Sequence, residues 1–155
     1  MPKIPEDTEP KNWHRFFAME ANNLAWELAV QARSSEQNQE MLDAAHTAAF
    51  HWNAVGTTLN KMRAKMLLAE VHALMGLGVS ALNYAEQVRE YFLSQQSPDW
   101  EVAFVHTIHA HAASAAGNQE EFIGSYEAAK IAIAKIEDEE DRNIVLKTFN
   151  NIPSP

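Results

Sequence analysis

Pro98 is the only proline between Lys11 and Ile152. Proline breaks a helix interior because it lacks an N–H donor and clashes with the preceding turn, so this long span is free to be helical throughout. Ala, Leu and Glu are abundant within it, and apolar side chains recur at three- and four-residue steps, the spacing of one helical face. The expected fold class is all-α.

Residues 1–10 hold three prolines and three acids and are expected to form a flexible or surface-lying arm, with a single ordered domain over residues 11–152. A first helix carries Trp13, Phe16, Phe17, Leu24, Leu28 and Ala32 on one stripe. A polar turn at residues 33–38 follows, in which Ser34 or Ser35 caps the next helix. The second, over residues 36–58, places Leu42, Ala45, Ala49 and Trp52 inward. The third runs over residues 60–75 with Leu67, Leu68, Val71 and Leu74 inward, and stops at Gly76-Leu77-Gly78. Val79 or Ser80 opens the fourth, which ends near Ser94. Ser97-Pro98-Asp99 reads as cap, first helical residue and first-turn acid of the fifth, over residues 98–116. Gly117-Asn118 turns the chain into a sixth over residues 119–136. The acids from Glu137 to Asp141 then open a short seventh bearing Ile144, Val145, Phe149 and Ile152. Short connections make successive helices antiparallel neighbours.

Composition removes several function classes. Cysteine is absent, which excludes disulfides, thiolate catalysis and Cys-ligated zinc. The formal charge of −9 opposes a broad nucleic-acid interface, and protonation of all seven histidines would cancel most of it. No apolar run is long enough for a membrane span. The opening residues lack the apolar segment of a secretory signal, so the expected location is cytoplasmic.

Gly76 and Gly117 lie 41 residues apart, and alignment on them pairs Ala69 with Ala110, Leu67 with Ile108 and Val88 with Ala129. A similar step back from Gly76 lands in the turn at Ser34-Ser35, and three hairpins at a roughly constant period are the signature of a helical repeat array. The small residues before the turn glycine (Ala69, Ala110), the small residue after it (Ala81) and the aromatic Tyr126 resemble a tetratricopeptide repeat over about residues 60–137. The sequence departs from that family's pattern: Lys65 and His106 replace its tryptophan, His72 and Ala113 its tyrosine, Leu93 and Ala134 its proline, and Phe122 stands at a small-residue position. The period also exceeds that family's 34 residues by about two helical turns. The resemblance implies antiparallel hairpins stacked as a short array of about seven helices. It further implies an inner surface lined by the first helix of each hairpin, carrying Arg63, Met66, Glu70 and Ala73, then Phe104, Thr107, His111 and Ser114. The family's asparagine-and-lysine clamp for a C-terminal carboxylate is not reproduced.

Histidine is the one residue type abundant enough to suggest other chemistry. His106 and His109, three apart, can face one way, as can Asp43 and His46, and the two pairs would converge on a divalent metal if their helices met. His111 points about 160° away from His109. The Glu-x-x-His pattern of carboxylate-bridged bundles is absent, so no metal and no cofactor is expected. His51 and Asn53 flank Trp52 and fall off its apolar stripe, where they can line a groove. No serine sits in a nucleophile motif, and Gly76-Leu77-Gly78 lacks the lysine of a phosphate loop.

These readings converge on a non-catalytic interaction module that binds a protein or peptide partner in a helical groove, or self-associates. Arg63, Met66, Glu70, Thr107, His111, His51 and Asn53 are its candidate ligand-binding residues. The alternative is a small-molecule- or metal-binding helical domain, including an enzyme, built on the histidine-rich helices.

Overall fold

The computed structural model describes residues 1–155 and contains seven α-helices and no strand. They are α1 (Pro10–Ala29), α2 (Ser35–Val55), α3 (Thr58–Leu74), α4 (Gly78–Leu93), α5 (Asp99–Ala115), α6 (Gln119–Ala134) and α7 (Glu139–Phe149).

Local chemistry sets their ends. The Gln37 N–H donates to Ser34 Oγ at 3.2 Å while the Ser34 N–H donates to Gln37 Oε1 at 3.0 Å. Thr57 and Asn60 repeat this reciprocal cap at α3, at 3.2 and 3.1 Å. Asn118 and Asp138 accept from the N–H groups of Glu121 and Asp141 at the starts of α6 and α7. Gly76 and Gly117 have φ of +71° and +74°, a region that other residues enter only with strain. At both, the two carbonyls left over by the helix are taken up by the turn. Leu77 N–H reaches His72 O and Gly76 N–H reaches Ala73 O, and Asn118 and Gly117 do the same to Ala113 and Ser114.

Several boundaries differ from the sequence reading. The first turn occupies residues 30–34, because the Ser34 cap places Glu36, Gln37 and Asn38 inside α2. Pro10, assigned to the arm, is the first residue of α1, since a first-turn position needs no N–H donor. The arm itself is tied to α1 by Asp7, whose backbone carbonyl accepts from Trp13 Nε1 at 2.8 Å and whose carboxylate accepts from Asn12 Nδ2 at 2.9 Å. Helix α4 starts at Gly78 rather than Val79 or Ser80. A Cβ at Gly78 would collide with the backbone of Ala115 and Ala116, so the start of α4 lies directly on the end of α5. Ser97 does not cap α5. Its hydroxyl donates to Phe92 O at 2.8 Å, closing α4, and Pro98 itself precedes the first helical residue.

The helices stack as an array in two layers. Helices α1, α3, α5 and α7 neighbour one another in that order, and each of α2, α4 and α6 packs against the odd-numbered helix before and after it. Central position explains why α3 is buried from Met66 to Ala73 and α5 from Thr107 to Ala113. Alanines permit the close approach: Ala69, Ala81, Ala103 and Ala110 have no exposed surface. Ala110 meets Phe122 of α6, as the repeat alignment requires, together with Ala113 and Ile152. The end helices have fewer neighbours. On α1 the expected stripe is buried only at Leu28, with Ala18, Ala25 and Ala29 beside it, while Trp13 and Phe16 are half-buried and Phe17 and Leu24 are exposed. Trp52 is likewise half-buried, and Met41, Ala44, Ala45 and Ala48 form the inward face of α2.

Candidate functional site

The odd-numbered layer leaves a cleft of about 420 Å³ between α1, α3, α5 and α7. Its walls are Trp26 from α1, Met66 from α3, Trp100 and Phe104 from α5, and Ile144 from α7. Trp26 and Trp100 each meet the Phe104 ring nearly edge-on, with centroids 5.7 and 6.4 Å away. On the floor Arg63 Nε and Nη2 donate to the two carboxylate oxygens of Glu101 at 2.8 and 3.0 Å. Glu101 is 2% exposed, and a buried carboxylate of this kind needs a paired cation. Hydrogen bonding to Glu101 in turn holds the Arg63 guanidinium above its ordinary pKa, against the opposing effect of burial. The same guanidinium sits 5.4 Å from the Trp100 ring centroid, fixing that ring from one side. Glu27 and Lys147 supply opposite charges at the cleft.

The sequence-derived residues separate into three groups. Arg63 and Met66 line this cleft. Glu70, Thr107 and His111 do not reach it, because α3 and α5 pack together along that length. Glu70 and His111 pair with each other, the His111 Nδ1 lying 3.0 Å from Glu70 Oε2, and both are buried. The Thr107 hydroxyl donates to Ala103 O at 2.7 Å inside the same contact. The open inner surface is therefore shorter than the repeat alignment implies. His51 and Asn53 lie on α2, in the other layer. His51 approaches His14 with 2.8 Å between their Nδ1 atoms, and burial together with that neighbour lowers its pKa; Asn53 is exposed.

The histidines do not converge as two facing pairs. Helix α2 packs on α1 and α3, and the exposed His46 meets His72 of α3, with ring centroids 5.2 Å apart. Partial desolvation of its ring, then the charge of His72, lowers the pKa of His46, with Asp43 opposing. His109 points instead between α4 and α6 and has no exposed surface. Its Nδ1 is 2.6 Å from Ser125 Oγ, and its Nε2 is 2.7 Å from Glu86 Oε1 and 3.3 Å from Glu121 Oε2. Arg89 donates to both oxygens of Glu86. Burial pushes the Glu86 carboxyl up, but the bonds and charges of His109 and Arg89 together hold it below the usual carboxylate range. His106 is half-buried beside this cluster. Burial lowers its pKa, and the charges of His109 and Arg89 lower it further.

Sequence reasoning missed Trp26, Ile144 and Lys147 of the cleft and Glu86, Glu121 and Ser125 of the histidine cluster. The four-residue spacing of Glu121 and Ser125 puts them on one face of α6, a signal too common to single out. Trp26 and Ile144 come from the two ends of the chain and share no repeat position. No protein family, curated protein or solved structure matches this chain.

Proposed function

We propose that the chain is a non-catalytic binding module, similar in architecture to a tetratricopeptide array, that receives a short segment of a partner protein in the aromatic cleft. The observation that carries this reading is the group Trp26, Trp100 and Phe104, gathered from two helices around an open volume of about 420 Å³. Phe104 is closed into the core, but Trp26 and Trp100 stay only partly buried against it and border the open volume; apolar clefts with a few fixed polar groups are the usual form of a binding site. The ion pair of Arg63 with Glu101 holds Trp100 in place before any ligand arrives, which reduces the ordering cost of binding. The cleft accepts one bulky apolar side chain, with polar neighbours meeting Glu27 and Lys147. The net charge of −9 disfavours a nucleic-acid partner, and the reading requires no cofactor.

A displayed peptide library panned against the purified chain tests this reading. Enriched peptides should share an aromatic or large aliphatic anchor, lose at least tenfold in affinity with Trp100→Ala, and bind Phe50→Ala, a surface aromatic of α2, unchanged. Peptides that bind Trp100→Ala and Trp26→Ala as well as the parent would refute it.

A further inference from the structure

Three donors from three helices meet beside His109: Glu86 from α4, the imidazole of α5 and Glu121 from α6, with their ligating atoms all within 4.8 Å of one another. Proton bookkeeping leaves this group one positive partner short. Nε2 of His109 can offer at most one proton, and Glu86 Oε1, at 2.7 Å, is placed to take it. Glu121 Oε2 is completely buried and has no hydrogen-bond partner, although it lies 3.3 Å from the same nitrogen. This holds whether the imidazole is neutral or charged, since Nδ1 faces Ser125 in either state. A buried carboxylate oxygen without a donor is costly, and it is aimed at the point where the other two donors converge.

The geometry points to a binding site for a divalent transition-metal cation, zinc in the first instance, held by Glu86, His109 and Glu121. With bonds of about 2.0–2.2 Å, adjacent donors around zinc stand roughly 3.0–3.5 Å apart, so the two separations from His109, 2.7 and 3.3 Å, need adjustments of only a few tenths of an ångström, and the two carboxylates, within 4.8 Å of each other, close on the ion by side-chain movement. Ser125 does what an outer partner of a metal-bound histidine does: by accepting the Nδ1 proton it leaves the Nε2 lone pair free for the ion. One imidazole with two carboxylates suits a borderline cation better than magnesium or calcium, which prefer oxygen alone. An opening of about 500 Å³ bordered by Arg89, His106, Glu120 and Gly124 gives the ion and its remaining water ligands access from solvent. A Cβ at Gly124 would meet nothing, so that side is clear. Arg89 is the competitor. Its guanidinium occupies both oxygens of Glu86 and must yield part of that contact when the ion enters.

The test uses the full chain, stripped with a chelator, in a His46→Gln, His51→Gln background that removes the two close histidine pairs elsewhere in the fold, His46 with His72 and His14 with His51. Zinc is titrated against a chromophoric chelator, and the melting temperature is followed with zinc, manganese or magnesium present. The expected result is one zinc per chain, a melting temperature that rises with zinc and not with magnesium, at least tenfold weaker binding with Glu121→Gln, and tighter binding with Arg89→Gln. Opposite effects of two neighbouring surface-reaching residues are not a consequence of altered stability. Circular dichroism confirms that Glu121→Gln is folded; if it is not, Glu86→Gln takes its place with the same expected weakening. Absence of zinc binding, or binding unchanged in the folded carboxylate variant, or weakened by Arg89→Gln, would overturn the assignment.

Discussion

At the scale of single residues, three glycines of one chemical kind serve three different ends. Gly76 supplies a left-handed turn, Gly78 admits the backbone of α5, and Gly124 does neither: a Cβ there meets open space in the middle of α6. Gly124→Ala should therefore raise stability by about 0.5–1 kcal/mol, the ordinary helix preference for alanine. Gly78→Ala should lower it by about 1–3 kcal/mol through overpacking against Ala115 and Ala116. Urea melts of the two variants check both signs. The left-handed role of Gly76 and Gly117 was legible from sequence because it depends on local chain geometry. The role of Gly78 was not, since it depends on a helix more than thirty residues further along the chain.

At the scale of helices, the existence and order of all seven elements were readable, because capping residues, turn glycines and apolar periodicity are local signals. What could not be read was how far each inward face stays open. Met66 and Glu70 are one turn apart on α3, yet Met66 lines the cleft while Glu70 is sealed against α5 by His111. Glu70 and His111 are one repeat, 41 residues, apart, so their pairing reports that α3 and α5 lie side by side in matching register. Glu70→Leu leaves an imidazole nitrogen buried without its partner and should destabilise the chain by about 1–3 kcal/mol. Replacing both Glu70 and His111 by leucine should recover part of that loss. A double-mutant cycle measures the coupling; strict additivity would show that the pair does not join the two helices.

At the scale of the whole molecule, the array brings together residues with no sequence relation. Trp26, Trp100 and Ile144 meet only because α1, α3, α5 and α7 form one layer, and Glu86, His109 and Glu121 only because α4, α5 and α6 stack. Trp100 packs nearly edge-on against Phe104. Its other surroundings are the ion-paired Arg63 and the cleft.

For the proposed docking of a partner's apolar anchor in this cleft, the chain carries its own reporters. Of its four tryptophans, Trp26 and Trp100 line the cleft, whereas Trp13 packs against Phe16 and Phe17 and Trp52 lies on α2. The most direct measurement is a nitrogen-proton correlation spectrum of the four indole N–H groups during titration with an enriched peptide. The Trp26 and Trp100 signals should move together with the binding curve while those of Trp13 and Trp52 stay in place. Movement confined to Trp13 or Trp52, or a saturating titration that leaves the cleft pair unshifted, would contradict that docking.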